Sequence, residues 1–298
     1  MRERPLSDSL EFTGERFTPE CVREIHYEHV HRYAFARELV WGRRVLDAAS
    51  GEGYGSALLA EAALSVTGVD LAREAVAHAG QRYRAPNLEF RHADCLDLPF
   101  DDDAFDVVVS FETLEHLAEH DRLLAEFRRV LSPQGFLLLS TPDKAVYTDR
   151  MGNRNEFHVA ELYRAEFESL LARHFGAHRL WGQKLGFQSS IWSLAPGQGV
   201  RHSQQIGESV ATGEAPAHEP VYLLAFCADE ESNLPRADFT LSLFDDADET
   251  VYRHYHHEIR KNMAAGKLLA QRDRRIDELE QALSTASTPW WRRWFGKR

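Results

Sequence analysis

Gly51, Gly53 and Gly55 alternate with Glu52 and Tyr54 directly after an apolar run, Val45-Leu46 and Ala48-Ala49, that only Asp47 interrupts. Glycine lets a backbone come close to a ligand, and the helix-compatible ALLAEAA that follows leaves unpaired N–H donors at its start. Strand, glycine turn and helix start together make a cradle for a nucleotide-like ligand. A second acidic residue, Asp70, ends the next apolar run, LSVTGVD. A carboxylate in that place accepts hydrogen bonds from ribose hydroxyls. The G-x-G-x-G spacing differs from the G-x-G-x-x-G fingerprint of nicotinamide dinucleotide sites, which carry an acidic residue roughly 20 positions on. The glycine pattern alone therefore leaves the ligand open.

A cradle of this kind needs a parallel sheet to hold it, and the rest of the chain supplies the pattern. Strands are expected at 64–70, 87–91, 105–110 and 136–140, in addition to the run before Gly51. Helices are expected at 71–84 and 119–131, the second stopped by Ser132-Pro133-Gln134-Gly135. Phe105 to Ser110 is almost wholly apolar and β-branched, as in a strand buried on both faces. Alternation of strands and helices predicts an α/β fold, a mostly parallel sheet covered on both sides. Downstream, 141–157 reads as a loop, 159–175 as an amphipathic helix, 177–183 as a strand, and 221–228 as the last strand. The Gly-, Ser- and Pro-bearing 185–220 reads as a long insertion. A helix over 19–40, rich in histidine and aromatics, is expected to act as a lid over the glycine turn, with Tyr27 and His31 on one face. Three segments result: a lid or a cap on the sheet at 1–40, the α/β domain at 41–230, and a helical extension at 231–298.

With 298 residues, 43% of them hydrophobic, the chain can form one sizeable domain with appendages. Its net charge of −12 argues against a general nucleic-acid binder, which needs a basic face. Cys21, Cys95 and Cys227 lie too far apart for a disulfide framework or a C-x-x-C metal site, and no metal-ligand cluster emerges from the spacing. No run approaches the roughly 18 apolar residues of a membrane span. The opening MRERPLSDSLEF lacks the apolar core of a signal peptide, so a cytoplasmic location is expected. The helix expected over 251–283 carries a ragged apolar stripe through Ile259, Met263, Leu268, Leu269, Ile276, Leu279 and Leu283. Such a helix seeks a partner, a second copy of the chain included. The final WWRRWFGKR is basic and aromatic, suited to an anionic membrane surface at the inner face of a membrane or to a partner enzyme.

Five stretches taken together are more specific than the glycines. VLDAASGEGYGS, VTGVD, HADCLDLPF, FDVVVSFETLEHL and RVLSPQGFLLLSTP follow one another in an order and at spacings that resemble the class I S-adenosylmethionine-dependent methyltransferases. The likeness is strong over 43–142 and weaker to about residue 228. It implies a Rossmann-like seven-stranded sheet with helices on both faces, and S-adenosylmethionine as cofactor. It also implies roles: Asp47, Ala49, Ser50, Gly51 and Gly53 at the methionine end; Asp70 at the ribose, with Leu71 beside the adenine; Asp94 at the adenine amino group, with Cys95 next to it; and Ser110, Phe111 and Glu112 lining the methyl donor. Tyr27 and Arg32 of the lid are expected to close over the donor carboxylate or the acceptor, and Arg16 is similar. A structural alternative stands beside several of these: Asp94 as a helix cap, the cations in surface ion pairs.

Methyl transfer from a sulfonium is an in-line displacement in which alignment and water exclusion do much of the work. A hydroxyl acceptor benefits from a general base. His116 in ETLEHL, His158 in NEFHVAEL and Glu112 are the candidates. The pattern FTGERFTPE…YEHVHRYAFA, with NEFHVAEL, is similar to a bacterial branch of these enzymes associated with cell-surface polysaccharide and O-antigen assembly. That likeness implies a saccharide, glycan or glycan-end phosphate oxygen as acceptor, and glycosyltransferases as neighbours. A quinone-like, lipid or other small-molecule acceptor is the alternative, and a non-catalytic cofactor-binding assembly module is a third reading.

Overall fold

The structure is a computed structural model and describes residues 24–188, 190, 202–206, 209–214, 216, 218–237 and 239–287. In chain order its elements are α1 (Glu24–Leu39), β1 (Arg44–Ala48), α2 (Tyr54–Ala60), β2 (Ser65–Asp70), α3 (Arg73–Arg82), β3 (Leu88–His92), β4 (Phe105–Phe111), α4 (His120–Val130), β5 (Leu131–Pro142), α5 (Arg164–His174), β6 (Ala177–Gln183), β7 (His202–Ile206), β8 (Ser209–Gly213), β9 (Tyr222–Ala228) and α6 (Thr250–Ser287). Seven strands form one sheet in the order β3-β2-β1-β4-β5-β9-β6. Neighbours are parallel from β3 through β5. β9 enters antiparallel to both β5 and β6. The expected seven-stranded, mostly parallel sheet with helices on both faces is the observed fold.

Strand periodicity explains the two cores. Successive side chains of a strand point to opposite faces, so Leu46, Val108, Leu137 and Leu139 meet α4 and α5 on one side. Val45, Val107, Val109 and Leu138 meet α1 and α2 on the other. The sheet order reverses between β1 and β4, and ligands of open α/β sheets bind beyond the strand ends at such a point.

Several expectations change. α1 is built into the second core through Tyr33, Phe35, Ala36 and Val40, all buried, so it packs as the cap that stood beside the lid reading. The compact unit also runs on to Phe244 and does not end near residue 230, because Leu234 and Phe239 pack on the α1 face of the core. A π-helical turn, Ala145–Arg150, occupies part of the expected 141–157 loop. Described parts of the 185–220 insertion form an antiparallel hairpin of β7 and β8. The second unit contains α6, whose stripe from Ile259 to Leu283 is exposed. The amino-terminal FTGERFTPE with Arg16, Cys21 and the WWRRWFGKR tail lie outside the described residues. Among the described residues, no helix is long and apolar enough to cross a membrane.

Candidate active site

The turn after β1 takes a left-handed backbone at three positions: Ala49 (φ 59°), Gly51 (φ 57°) and Gly53 (φ 95°). Only Ala49 carries a side chain, and its left-handed conformation is strained. Glycine is required at 53, where an added Cβ would lie 2.6 Å from the Ala79 Cβ of α3. Asp70, at the end of β2, holds the turn from the side. Its Oδ2 accepts the Gly51 N–H at 2.9 Å and its Oδ1 the Ala72 N–H at 2.8 Å. Leu71 beside it is 66% exposed, an apolar surface next to a carboxylate. Asp94, at the end of β3, is exposed and accepts the Leu96 N–H at 2.9 Å, which makes it a turn former as well. Cys95 is buried below it, its thiol pushed up to about 12 by burial, so it stays neutral.

Asp47 departs from its expected place at the methionine end. The residue is fully buried, and its carboxylate accepts hydrogen bonds from Tyr33 (3.0 Å) and Ser56 (2.5 Å). It braces the turn from beneath. Burial raises its pKa to about 7, against the opposing effect of those two donors. Ser110 is likewise fully buried, and Phe111 packs edge-on against the Tyr33 ring at 5.0 Å, so neither opens onto the strand ends. Ser50 is buried at 5% exposure, while Ala49 is half-buried. Glu52 between the glycines, which the sequence reading passed over, is buried with Tyr83 (2.7 Å), His78 (2.9 Å) and Arg82 (3.2 Å) of α3 and its end around it.

The lid residues divide. Tyr27 packs edge-on against Phe244, and His31 stacks on the same ring and bonds Ser242 at 2.9 Å. That face of α1 is covered by the 242–244 segment and is turned away from the glycine turn. One residue further round, Arg32 is 1% exposed. It donates to Gln183 at 2.8 Å, lies 3.7 Å from Glu112 and stacks over Tyr222 at 4.9 Å. Burial disfavours its charge, and Glu112, Tyr222, Tyr54 and Glu28 more than restore it. Its Nε and Nη2 are buried with no hydrogen-bond partner among the described residues.

Beyond β4 stands the second group. Glu112 has a left-handed backbone (φ 52°) and accepts the Ser140 hydroxyl at 2.6 Å. A single turn, Leu114–His116, follows. It holds Glu115, fully buried, with Thr141 donating to its Oε2 at 3.1 Å. Burial first, then the neighbouring Glu112, raises the Glu115 pKa well above the usual carboxyl range. Val159 and Ala160 donate their N–H groups to the Glu115 carbonyl at 2.8 and 3.0 Å, which ties the 157–160 loop to this turn. His116 and His158 are thereby brought together with rings 5.1 Å apart. One ligand-type atom from each of Glu115, His116 and His158 lies within 4.8 Å of the others. The spacing in sequence shows no such cluster, because 41 intervening positions separate the histidines and only the fold joins them. Glu115 was legible only as the acidic neighbour of His116.

The geometry suits an adenosyl cofactor at the ends of β1, β2 and β3. Left-handed glycines give backbone access, Asp70 keeps acceptor capacity for hydroxyls, and Leu71 offers an exposed apolar face. The unpartnered guanidinium N–H groups of Arg32 suit an anionic group between the turn and β4.

A family model described as "Methyltransferase domain" matches residues 46–139. A probable S-adenosylmethionine-dependent methyltransferase of Mycolicibacterium smegmatis is 38% identical over 172 residues, 57% of this chain and 66% of that protein. Phthiotriol/phenolphthiotriol dimycocerosates methyltransferase 1 of Mycobacterium ulcerans is 35% identical over 160 residues, 53% of this chain and 56% of that protein. The chain thus spans less than two thirds of the length of these relatives. A solved S-adenosylmethionine dependent methyltransferase from Mesorhizobium loti aligns with a TM-score of 0.45 at 18% identity, over 65% of this chain and 96% of that one. Sheet order, glycine turn and family match agree over the same residues, and the stretch from 46 to 139 matches a methyltransferase domain.

Proposed function

We propose that the protein transfers a methyl group from S-adenosylmethionine to an oxygen of a small-molecule acceptor held beyond β4 and β5. When bound, the cofactor supplies a methyl group made electrophilic by its sulfonium. Gly51 and Gly53 lie at its methionine end and Asp70 holds its ribose, with Leu71 and Asp94 at the base, and Arg32 takes an anionic group. Glu112 serves as the proton acceptor. His116 donates its Nδ1 proton to the Phe157 carbonyl (3.0 Å), and His158 donates to Glu161 (2.5 Å). The observation that carries this reading is that the glycine turn after β1 and the Glu112–His116 turn after β4 leave adjacent strands at the reversal of sheet order.

The acceptor we propose is a saccharide or glycan oxygen, on the strength of the sequence likeness to the polysaccharide-associated branch. A lipid hydroxyl is the second reading, favoured by the Mycobacterium ulcerans relative, whose name is that of a lipid methyltransferase. We place the protein in the cytoplasm, with α6 as a surface for self-association and the terminal tail as a contact to an anionic membrane or a glycosyltransferase. A methyl-transfer screen with isotopically labelled S-adenosylmethionine against nucleotide sugars, glycans and lipid polyols tests the assignment. Label in a sugar product supports the first reading, label in a lipid product the second. A cofactor-binding protein that labels neither class leaves a quinone-like or other small-molecule acceptor and the assembly-module reading.

A further inference from the structure

The methyl-transfer reading gives no work to Glu115. That residue is fully buried, and its Oε1 has no hydrogen-bond partner among the described residues. Leaving a buried carboxyl oxygen unpaired is costly, and more so when it is charged. A carboxylate oxygen of Glu115 and a ring nitrogen of each of His116 and His158 lie within 4.8 Å of one another. We propose that Glu115, His116 and His158 bind a divalent first-row transition-metal ion.

Three observations support it independently of spacing. The Nδ1 of His116 is tied to a backbone carbonyl and that of His158 to a carboxylate, the kinds of outer partner that orient metal-binding imidazoles. Glu161 is itself held, since Thr148 donates to its other oxygen. Glu115 is fixed by Thr141 at one oxygen, which leaves the second for coordination. The loop bearing His158 is pinned to the Glu115 carbonyl by two N–H groups, so the third ligand is held by hydrogen bonds made before any ion arrives.

Two imidazoles and one carboxylate suit zinc and its first-row neighbours and leave coordination positions open. Those positions would take water or the acceptor oxygen, next to Glu112. This role at the acceptor rests on the methyl-transfer reading; the binding of the ion does not.

The full-length protein, stripped with a chelator and dialysed, is titrated with Zn²⁺ in competition with a chromophoric chelator. One equivalent should bind to the wild type, and Glu115→Gln and His158→Gln should each weaken binding at least about tenfold. S-adenosylhomocysteine binding and thermal midpoints, measured on the same variants, report folding and the cofactor site separately. Co²⁺ loaded into the wild type provides a check that needs no variant, since its visible spectrum should show imidazole and carboxylate ligation. Substoichiometric Zn²⁺ binding, equal affinity in folded variants, or a Co²⁺ spectrum identical to that of the aqueous ion would overturn the proposal. Intact zinc binding without methyl transfer would leave it standing and remove only the role at the acceptor.

Discussion

Asp47 shows how a residue can be legible as important and still be placed wrongly. An acidic residue inside an apolar run before a glycine turn signals function, but the same pattern fits a carboxylate that braces the turn from below. Tyr33 and Ser56, the donors that decide between these, lie 14 residues before it and 9 after it. Asp47 has an ordinary pKa of 3.8 and a folded value of about 7. Between these values the unfolded chain has lost a proton that the folded chain keeps, so this residue's stabilising contribution is complete below about pH 4. It declines by about 1.4 kcal/mol per pH unit as the pH rises and is gone above about pH 7. Urea denaturation of the wild type and Asp47→Asn should therefore give stabilities that diverge over this range, the variant gaining on the wild type by a few kcal/mol. Parallel curves would show that Asp47 is ionised in the folded protein throughout. Asp70, by contrast, was read correctly as a strand-end carboxylate, because position at the end of a parallel strand is a local property of sequence.

At the scale of elements, the strands were legible because their apolar runs are short, β-branched and bounded by turns. α1 was recognisable as a helix but not as a core element. Its hydrophobic residues are mixed with histidines and arginines, and which face is buried depends on Gly55. An added Cβ at that glycine would stand 2.2 Å from the Tyr33 ring. Gly55→Ala should therefore push α1 from α2 and cost about 1–3 kcal/mol, seen as a lower thermal midpoint with α-helical content retained. An unchanged midpoint would mean that α1 moves away freely and is the lid the sequence suggested. The turn after β4 was legible for His116 and Glu112, whereas its pairing with the His158 loop depends on the bonds to the Glu115 carbonyl, which no local pattern encodes. Ser140→Ala removes the hydroxyl that orients Glu112 and should lower kcat several-fold with little effect on cofactor affinity. Loss of affinity with kcat preserved would assign Ser140 to the cofactor side.

At the scale of the molecule, two units carry separate tasks. The unit through Phe244 contains the sheet and both site turns. α6, with 38 residues and an apolar stripe left exposed, extends roughly 57 Å and is suited to helix pairing. Sedimentation of the full chain should give a mass above that of the monomer, and Ile276→Asp with Leu279→Asp should reduce it to the monomer. An unshifted monomeric mass in both would remove self-association. The cofactor was legible from sequence because five stretches converge on one sheet edge. The acceptor was not, because the residues of the proposed acceptor site come from α1, the 157–160 loop and β9, far apart in the chain. The central claim is that the ends of β1 and β2 hold an adenosyl cofactor through Asp70. Calorimetric titration of the full-length wild type and of Asp70→Ala with S-adenosylhomocysteine tests it most directly. The account predicts one saturable site in the wild type and binding weakened at least about tenfold in the variant, the loss expected when a hydrogen-bonded carboxylate is removed. No binding heat from well-folded wild-type protein, or equal affinity in the two, would contradict it.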